Sequence, residues 1–201
     1  MKRSIPNLTI RALHTAARRS ALAWRWIWYQ LTVFVWDHPI SRDTRFYGRL
    51  RTAYVPANTS TGRGCGFGHN VFLSAGRGAK ITLGAQVTVN DGCLLVASES
   101  IEIGDRVAIG EYVSIRDQQH IHTAGKGVRD QGYKVAPVTI GANTWIGRGA
   151  FIGPGTHIGK DCVIAANSVV HGTFPDGVLI AGAPATLRKS LSDDTGSAAD
   201  A

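Results

Sequence analysis

The sequence predicts an all-β fold in which the chain winds as a coil with three flat faces per turn. A branched aliphatic residue recurs at every sixth position, at Ile140, Ile146, Ile152, Ile158, Ile164 and Val170. Glycine follows four of these, and a small or short side chain stands four places after each of the first five. A period of six fits neither a helix nor an alternating strand. It suits a coil with one inward aliphatic per face and small residues at its corners.

Residues 1–60 carry all of the net positive charge and are predicted to lie outside the coil. They hold ten Lys and Arg against two acidic residues, whereas residues 61–201 hold twelve of each. A neutral repeat region argues against a nucleic-acid ligand, because phosphate binding needs a basic footprint. The basic N-terminus instead indicates an anionic partner, of which a membrane surface is the obvious candidate.

Residues 1–36 are predicted to contain an amphipathic helix with four tryptophans, and residues 37–60 a connector. Arg25 interrupts the apolar core that a secretory signal would need, and the apolar run is too short for a membrane span. Basic flanks and tryptophans suit a helix that lies in the membrane interface. The alternative is a helix that packs on its own domain or on a neighbouring subunit.

Residues 61–190 are predicted to form the coiled domain, with a functional loop at residues 116–137. The hexads begin near Leu83, slip by two residues between Ile101 and Ile103, and stop at Ile115. They resume at Val138, after a polar and charged segment. A loop this long inside a regular coil is usually functional. The alternating glycines of residues 62–68 resemble a phosphate loop, but corner glycines of the coil are the favoured interpretation.

The C-terminal part is predicted to contain a short helix from Ala185, followed by a disordered tail at residues 191–201. Cys65, Cys93 and Cys162 have no metal-ligand spacing and an odd count, so we expect small buried hydrophobic residues in a reduced, cytoplasmic protein.

The loop contains the strongest candidates for chemistry. His120 or His122 is expected to act as a general base, because the pKa of histidine lies close to neutrality. Asp117 precedes them and could orient the loop or an imidazole, or cap a turn. No order of Ser, His and Asp or of Cys and His indicates a covalent nucleophile.

Three stretches carry a resemblance to a known family: DQQHIH, APVTIGANTWIGRGAFIGPGTHIGKDCVIAANSVV and PDGVLIAGAPATLRK. Together they resemble the hexapeptide-repeat acyltransferases, and in particular the sugar and polysaccharide O-acetyltransferases similar to maltose and galactoside acetyltransferases. The resemblance covers about residues 65–190. It implies a left-handed parallel β-helix, a homotrimer, and three acetyl-CoA sites in the clefts between subunits.

The resemblance also implies roles for individual residues. His120 matches the catalytic base, and Asn90 matches an asparagine that contacts the acceptor sugar. Asp117 and His122 are grouped with Asn90 on the acceptor side. No metal is expected. The residues that the resemblance places at the cofactor are Trp145, the backbone of Arg148 and Ala166, and the basic residues Arg188 and Lys189.

The predicted function is transfer of an acetyl group from acetyl-CoA to a hydroxyl of a sugar or polysaccharide precursor, with a membrane-held glycan as the favoured acceptor. One alternative is a zinc-dependent lyase resembling the γ-class carbonic anhydrases, with His120, His122 and His157 as ligands. Another is a non-catalytic trimeric assembly module. A serine acetyltransferase is disfavoured, because the N-terminal segment is too short for the helical domain of that group.

Overall fold

A computed structural model describes residues 16–17, 19–20, 23–24, 27, 40–52, 58–127, 129 and 131–192. The chain forms a parallel β-solenoid of about six coils that fits a left-handed β-helix, so the predicted all-β class and architecture are confirmed.

Each coil contributes three short strands. The first three coils contain β1 (Arg45–Phe46), β2 (Arg51–Thr52), β3 (Thr59–Thr61), β4 (Gly66–Phe67), β5 (Phe72–Ala75), β6 (Lys80–Leu83), β7 (Thr88–Val89), β8 (Leu94–Ala97) and β9 (Ser100–Ile103). The fourth coil and its loop contain β10 (Ala108–Ile109), β11 (Ser114–Arg116), β12 (Gln118–His120), β13 (Tyr133–Val135) and β14 (Val138–Ile140). The last part contains β15 (Trp145–Ile146), β16 (Phe151–Ile152), β17 (His157–Ile158), β18 (Val163–Ile164), β19 (Val169–Val170), β20 (Thr173–Phe174), β21 (Val178–Gly182) and β22 (Ala185–Ser190).

The strands stack into three sheets that form the faces of a triangular prism. Face one has the order β1-β4-β7-β10-β15-β18-β21-β22, face two the order β2-β5-β8-β11-β16-β19, and face three the order β3-β6-β9-β14-β17-β20. The chain therefore turns three corners per coil, and these corners stack into three edges. We call them edge 1–2, edge 2–3 and edge 3–1 after the faces that they join.

The core consists of the predicted aliphatic series, stacked coil upon coil. On face one, Val89, Ile109, Ile146 and Ile164 pair in register, and all are at most 1% exposed. The other two faces continue the pattern, with Leu95, Ile115 and Ile152 on face two and Ile103, Ile140 and Ile158 on face three. Because each inward residue packs on its equivalents above and below, the hexad builds one continuous apolar core.

The tight corners require a left-handed backbone, which explains the glycines and asparagines of the hexads. Gly64 adopts positive φ on edge 3–1, and Gly92 and Gly149 do so on edge 1–2. Asn70 and Asn167 adopt φ of 55° and 57° on edge 1–2. Asparagine enters this region more readily than most residues, so Asn167 can occupy a corner that suits glycine. The alternating glycines of residues 62–68 lie at corners and in β4, as the favoured interpretation predicted.

Among the described coils, the corner length varies strongly at edge 2–3 and is nearly constant at the other two edges. The loop leaves from edge 2–3. The slip between Ile101 and Ile103 arises because β8 and β9 are four residues long, so both isoleucines point inward on face three. In the next coil the loop inserts at the same edge, between β11 and β14. A corner that is already widened tolerates an insertion without disturbing the stacked aliphatics.

Two features differ from the sequence expectation. The helix predicted from Ala185 is wrong, because residues 185–190 form β22 and pair antiparallel with β21. An open edge strand exposes unpaired backbone groups, and β22 satisfies those of β21 at the end of face one. The structure also places the first coil, β1 to β3, inside the segment that was predicted to be a connector. The buried strand residues of this coil are Phe46, Thr59 and Thr61, so it carries no series of branched aliphatic residues.

Few residues of the N-terminal helix are described. The described residues of this segment are helical and exposed: 16–17, 19–20, 23–24 and 27. Most of the predicted amphipathic helix lies outside the described residues. The predicted disordered tail also lies outside them, from residue 193 onward. Within the described part of the chain, no helix has the length and apolar character needed to cross a bilayer.

Candidate active site

The loop on edge 2–3 begins as a short antiparallel ribbon that presents His120. Strands β12 and β13 pair so that His120 lies opposite Tyr133. The two rings are tilted by 40° with their centroids 4.3 Å apart, and both side chains are exposed. His122 lies two residues beyond the ribbon and is also exposed. The ring contact holds the His120 imidazole at a defined place. Among the described residues, His122 forms no such ring contact.

Asp117 anchors the root of this loop from inside the solenoid. It is fully buried, and its carboxylate accepts the backbone N–H of Ser98 at 2.8 and 3.0 Å and that of Glu99 at 2.7 Å. The Ser98 hydroxyl donates to the neighbouring Gln118 at 2.7 Å. The geometry therefore favours the turn-capping alternative, in which the buried carboxylate of Asp117 holds the root of the loop. Its predicted acceptor contact stays a prediction.

The residues predicted at the cofactor lie together on face one and edge 1–2. Trp145 is the first residue of β15 and is 57% exposed on the outer side of face one. Arg148 follows β15 at edge 1–2, and Ala166 occupies the equivalent corner one coil later, after β18. Adjacent coils are about 4.8 Å apart, so these groups form a column along one side of the prism.

Two backbone donors in this column have no acceptor within the described residues: the N–H groups of Arg148 and Ala166. At some equivalent corner positions, an aspartate of the next coil accepts this N–H. Asp105 accepts that of Ala85 at 2.7 Å, and Asp176 accepts that of Lys160 at 2.9 Å. The corners at Arg148 and Ala166 lack such a cap, so their N–H groups are available to a ligand.

The side chain of Arg148 folds along the edge instead of covering its own backbone. Its guanidinium lies over the ring of Tyr112, 5.6 Å from the ring centroid. That ring in turn lies over Gly92, where an added Cβ would come within 2.5 Å of it. The cation–π contact directs the long Arg148 side chain toward the coil below, along edge 1–2, and leaves its own backbone N–H uncovered.

The upper end of the column is basic. Strand β22 carries Arg188 and Lys189, and Lys189 pairs in register with Leu179 on face one. Both side chains are exposed, and Arg188 Nε donates to the Ala181 carbonyl at 3.2 Å. The strand that replaces the predicted helix therefore extends face one and places two cations at its end.

The lower end of the column opens into a cavity of about 370 Å³ that contains Asn90. Sequence reasoning identified Asn90 but missed other residues of this cavity, among them Arg45, Tyr47, His69 and Asp91. They come from three different coils, and none occupies a position that the hexad marks. Their shared place, on face one or at edge 1–2, becomes visible only once the coils are aligned.

Asp91 and His69 form a pair at the rim of this cavity. The Asp91 carboxylate accepts the backbone N–H of His69 at 2.6 Å and lies 3.3 Å from His69 Nδ1. The backbone hydrogen bond, supported by the imidazole, holds the pKa of Asp91 below its usual value. The carboxylate is therefore ionised at neutral pH and fixes the orientation of the imidazole.

One chain does not bring His120 to the column. The loop leaves from edge 2–3, the edge opposite face one, while Asn90, Trp145, Arg148 and Ala166 lie on face one or edge 1–2. The candidate base and the candidate cofactor wall thus belong to different sides of the prism.

Within the described residues of one chain, no three His, Cys, Asp or Glu side chains form a group that could hold an ion. His157 is on the outside of face three, where its Nδ1 lies 2.9 Å from the Thr139 hydroxyl. The three cysteines are buried and free, and burial raises the pKa of the Cys93 thiol to about 11.

Comparison with known proteins gives a family match over the regular hexads. Residues 137–172 match the family described as bacterial transferase hexapeptide (six repeats). A putative lipopolysaccharide biosynthesis O-acetyl transferase of Escherichia coli is 31% identical over 166 residues, which cover 75% of this chain and 84% of that protein. A probable acetyltransferase of Mycobacterium tuberculosis is 30% identical over 171 residues, covering 83% of this chain and 56% of the relative.

The chain spans less than two thirds of some relatives, including 59% of a putative acetyltransferase of Saccharomyces cerevisiae. Among solved structures, a maltose O-acetyltransferase from Clostridium difficile aligns with a TM-score of 0.57 and 23% identity, covering 88% of this chain and 87% of the other. An N-acyltransferase from Bacillus cereus, in complex with dTDP and 3-hydroxybutyryl-CoA, aligns with a TM-score of 0.66 and 18% identity, covering 80% and 86%. Both share the fold of this chain.

Proposed function

The chain belongs to the hexapeptide-repeat acetyltransferase family, and we propose that it moves an acetyl group from acetyl-CoA to a hydroxyl of a sugar. The observation that carries the proposal is the continuity of the column, which runs from the cavity at Asn90 to the cations of β22. Within this column, an acceptor at the lower end would meet a long, anionic co-substrate that lies along the edge. The E. coli relative is described as an O-acetyl transferase, which supports an oxygen acceptor.

Acetyl-CoA is the proposed co-substrate, held chiefly through the backbone. The uncapped N–H groups of Arg148 and Ala166 would bind the thioester and the amides of the pantetheine arm. Trp145 would pack against the arm, and Arg188 and Lys189 would bind the phosphates. Several solved relatives are complexes with coenzyme A or acetyl-CoA, which supports this choice.

His120 is the proposed general base. The imidazole accepts the proton of the acceptor hydroxyl while that oxygen attacks the thioester carbonyl carbon. Backbone N–H groups of the cleft stabilise the tetrahedral oxyanion. When the intermediate collapses, the C–S bond breaks and the imidazolium returns its proton to the departing thiolate. The products are an O-acetyl sugar and free coenzyme A. Binding both substrates in one cleft supplies the proximity that the reaction needs.

A homotrimer would complete the site, because one chain separates His120 from the column. The outer side of face two supports such an assembly, since its partly buried residues are mainly apolar: Phe72, Leu94, Phe151 and Val169. A second prism packed near this face would bring the edge 2–3 loop of one subunit to the edge 1–2 column of another. Three equivalent sites would result.

Membrane attachment through residues 1–36 is a further part of the proposal. The support is the excess of ten basic over two acidic residues in residues 1–60, together with the tryptophans. This arrangement would place the protein at the cytoplasmic side of a membrane, close to a membrane-held saccharide. Sedimentation with anionic liposomes checks it: removal of residues 1–36 should abolish binding, and continued binding would contradict the assignment.

The test of the function is acetyl transfer with purified protein. Acetyl-CoA is incubated with a panel of neutral and charged sugars, and free thiol is followed while mass spectrometry detects the acetylated sugar. We expect stoichiometric thiol and ester formation with at least one sugar, and calorimetric binding of acetyl-CoA that Trp145→Ala weakens. Absence of acetyl-CoA binding would overturn the proposal.

A further inference from the structure

The cavity at the lower end of the column has a specific chemical character that bears on the choice of acceptor. It is lined by coil one through Arg45 and Tyr47, by coil two through His69, and by coil three through Asn90 and Asp91. Its volume of about 370 Å³ lies within the range of small-molecule sites. It opens on face one, below Trp145.

Arg45 supplies a positive charge to the cavity. Its side chain is exposed and forms no ion pair with the described residues, whereas the nearby Arg63 lies 3.9 Å from Asp43. The surrounding chain is strongly basic, since residues 40–83 carry seven Lys and Arg against one acid. The field at this end of the solenoid therefore favours an anion.

The one carboxylate of the cavity is already engaged. Asp91 accepts the backbone N–H of His69 at 2.6 Å and contacts its imidazole, so its oxygens are partly satisfied within the protein. The imidazole and Asn90 remain at the rim as donors or acceptors for hydroxyl groups. Tyr47 adds an aromatic side chain that lies over Gly66, where a Cβ would stand 3.6 Å from the ring. A polar ring with an anionic substituent matches this combination.

We propose that this cavity is the acceptor subsite and that it selects a saccharide bearing a phosphate or carboxylate, which Arg45 binds. The inference rests on the proposed acetyl transfer and deepens it by naming the acceptor class. The planar guanidinium can engage either anion through two parallel N–H groups. His69 and Asn90 bind ring hydroxyls, and Asp91 positions His69. A soluble sugar phosphate and a sugar joined by phosphate to a lipid share this chemistry.

The test compares matched charged and neutral sugars in Arg45→Gln and in a control. The probes are glucose 1-phosphate and glucuronic acid, each against glucose, with binding followed by saturation-transfer NMR and transfer by thiol release. Arg49→Gln is the matched control, because it removes the same charge from the same coil outside the cavity. Arg45→Gln should weaken binding of the charged sugars about tenfold or more. It should leave glucose and acetyl-CoA unaffected, and Arg49→Gln should change each affinity less than twofold or so.

Each result decides the proposal. Three results would overturn it. They are equal binding of charged and neutral sugars, equal losses of binding in the two variants, and a loss of binding that extends to glucose. The NMR arm needs no turnover, so a protein that binds charged sugars through Arg45 but transfers no acetyl group would refute the enzymatic function alone. Phosphatidylinositol in phosphatidylcholine vesicles distinguishes the source: competition with glucose 1-phosphate indicates a lipid-held acceptor, and its absence indicates a soluble one.

Discussion

His120 has a structural environment that distinguishes it from the other loop histidine. Its ring packs against Tyr133 at 4.3 Å, while His122 lies beyond the paired strands. If His120 is the base, His120→Ala should lower kcat by about 10²–10⁴-fold, which is the usual contribution of a general base. Thermal unfolding should be unchanged, because the side chain is exposed.

The matched control for this prediction is His122→Ala, which should retain near-normal turnover. Steady-state rates of acetyl transfer for both variants, measured at saturating acetyl-CoA, provide the comparison. A normal rate in His120→Ala together with a large loss in His122→Ala would transfer the role to His122.

Cys93 gives a prediction about pH. Its thiol is buried and lies 3.0 Å from the Gly110 carbonyl, and burial raises its pKa to about 11. The raised pKa means that folding favours the neutral thiol. This contribution to stability is complete below the unfolded pKa of about 8.5 and is lost as the pH rises through the folded value.

Because the thiolate is the reactive form, Cys93 should react slowly with Ellman's reagent in the native protein at pH 8. Burial also raises the pKa of Cys65 and Cys162. We therefore expect all three thiols to titrate only after unfolding in urea. Rapid reaction of three thiols in the native protein would contradict the buried positions.

The positions of individual residues could be predicted from the sequence where those residues belong to the repeat. The inward aliphatics repeat every six positions, so each was identified by its neighbours in sequence. Arg45, His69 and Asp91 carry no such mark, because only the stacking of three coils brings them together. Asn90 was found through resemblance alone.

At the scale of elements, the loop depends on one buried carboxylate. Asp117 accepts the N–H groups of Ser98 and Glu99, which belong to the previous coil at edge 2–3. Asp117→Ala removes this buried acceptor and leaves the two N–H donors without a partner. The free energy of unfolding should fall by about 2–3 kcal/mol, as expected for buried donors left unsatisfied. Turnover should fall as well, because β12 follows Asp117 directly.

Urea unfolding measures this loss, and Asp105→Ala is the matched control. Asp105 accepts one backbone N–H, that of Ala85, but is exposed at edge 3–1. Water can replace it, so about 1 kcal/mol or less is expected there. Equal effects of the two substitutions would show that burial at the loop root has no special importance.

The elements at the two ends were the least predictable. The hexad defines the inner coils, each of which has a coil on both sides. At the ends, the partner strand decides the structure: β22 is a strand because the backbone of β21 needs a partner. The local sequence of this segment, ATLRKSL after a turn, favours a helix when it is considered alone. The first coil escaped detection for a different reason, since its buried strand residues, Phe46, Thr59 and Thr61, do not continue the aliphatic series.

At the scale of the whole molecule, the separation of His120 from the column makes a strong prediction about assembly. In a cyclic trimer with one site per interface, one subunit supplies the loop and its neighbour supplies the edge 1–2 column. Co-expression of His120→Ala with Asn90→Ala should then restore activity, because some interfaces join a normal loop to a normal column. Random assembly leaves about one quarter of the interfaces intact, so the mixture should reach about one quarter of the normal rate per site.

A control pair tests whether the column belongs to a single chain. Asn90 and Trp145 both lie on the face one side of one prism, so co-expression of Asn90→Ala with Trp145→Ala should give no recovery. Every interface in that mixture contains a defective column, whichever subunits meet. Recovery only in the first pair would establish a site shared between subunits. Recovery in neither pair would require the loop of one chain to reach its own face one. Recovery in both would place Asn90 and Trp145 on opposite walls of the cleft.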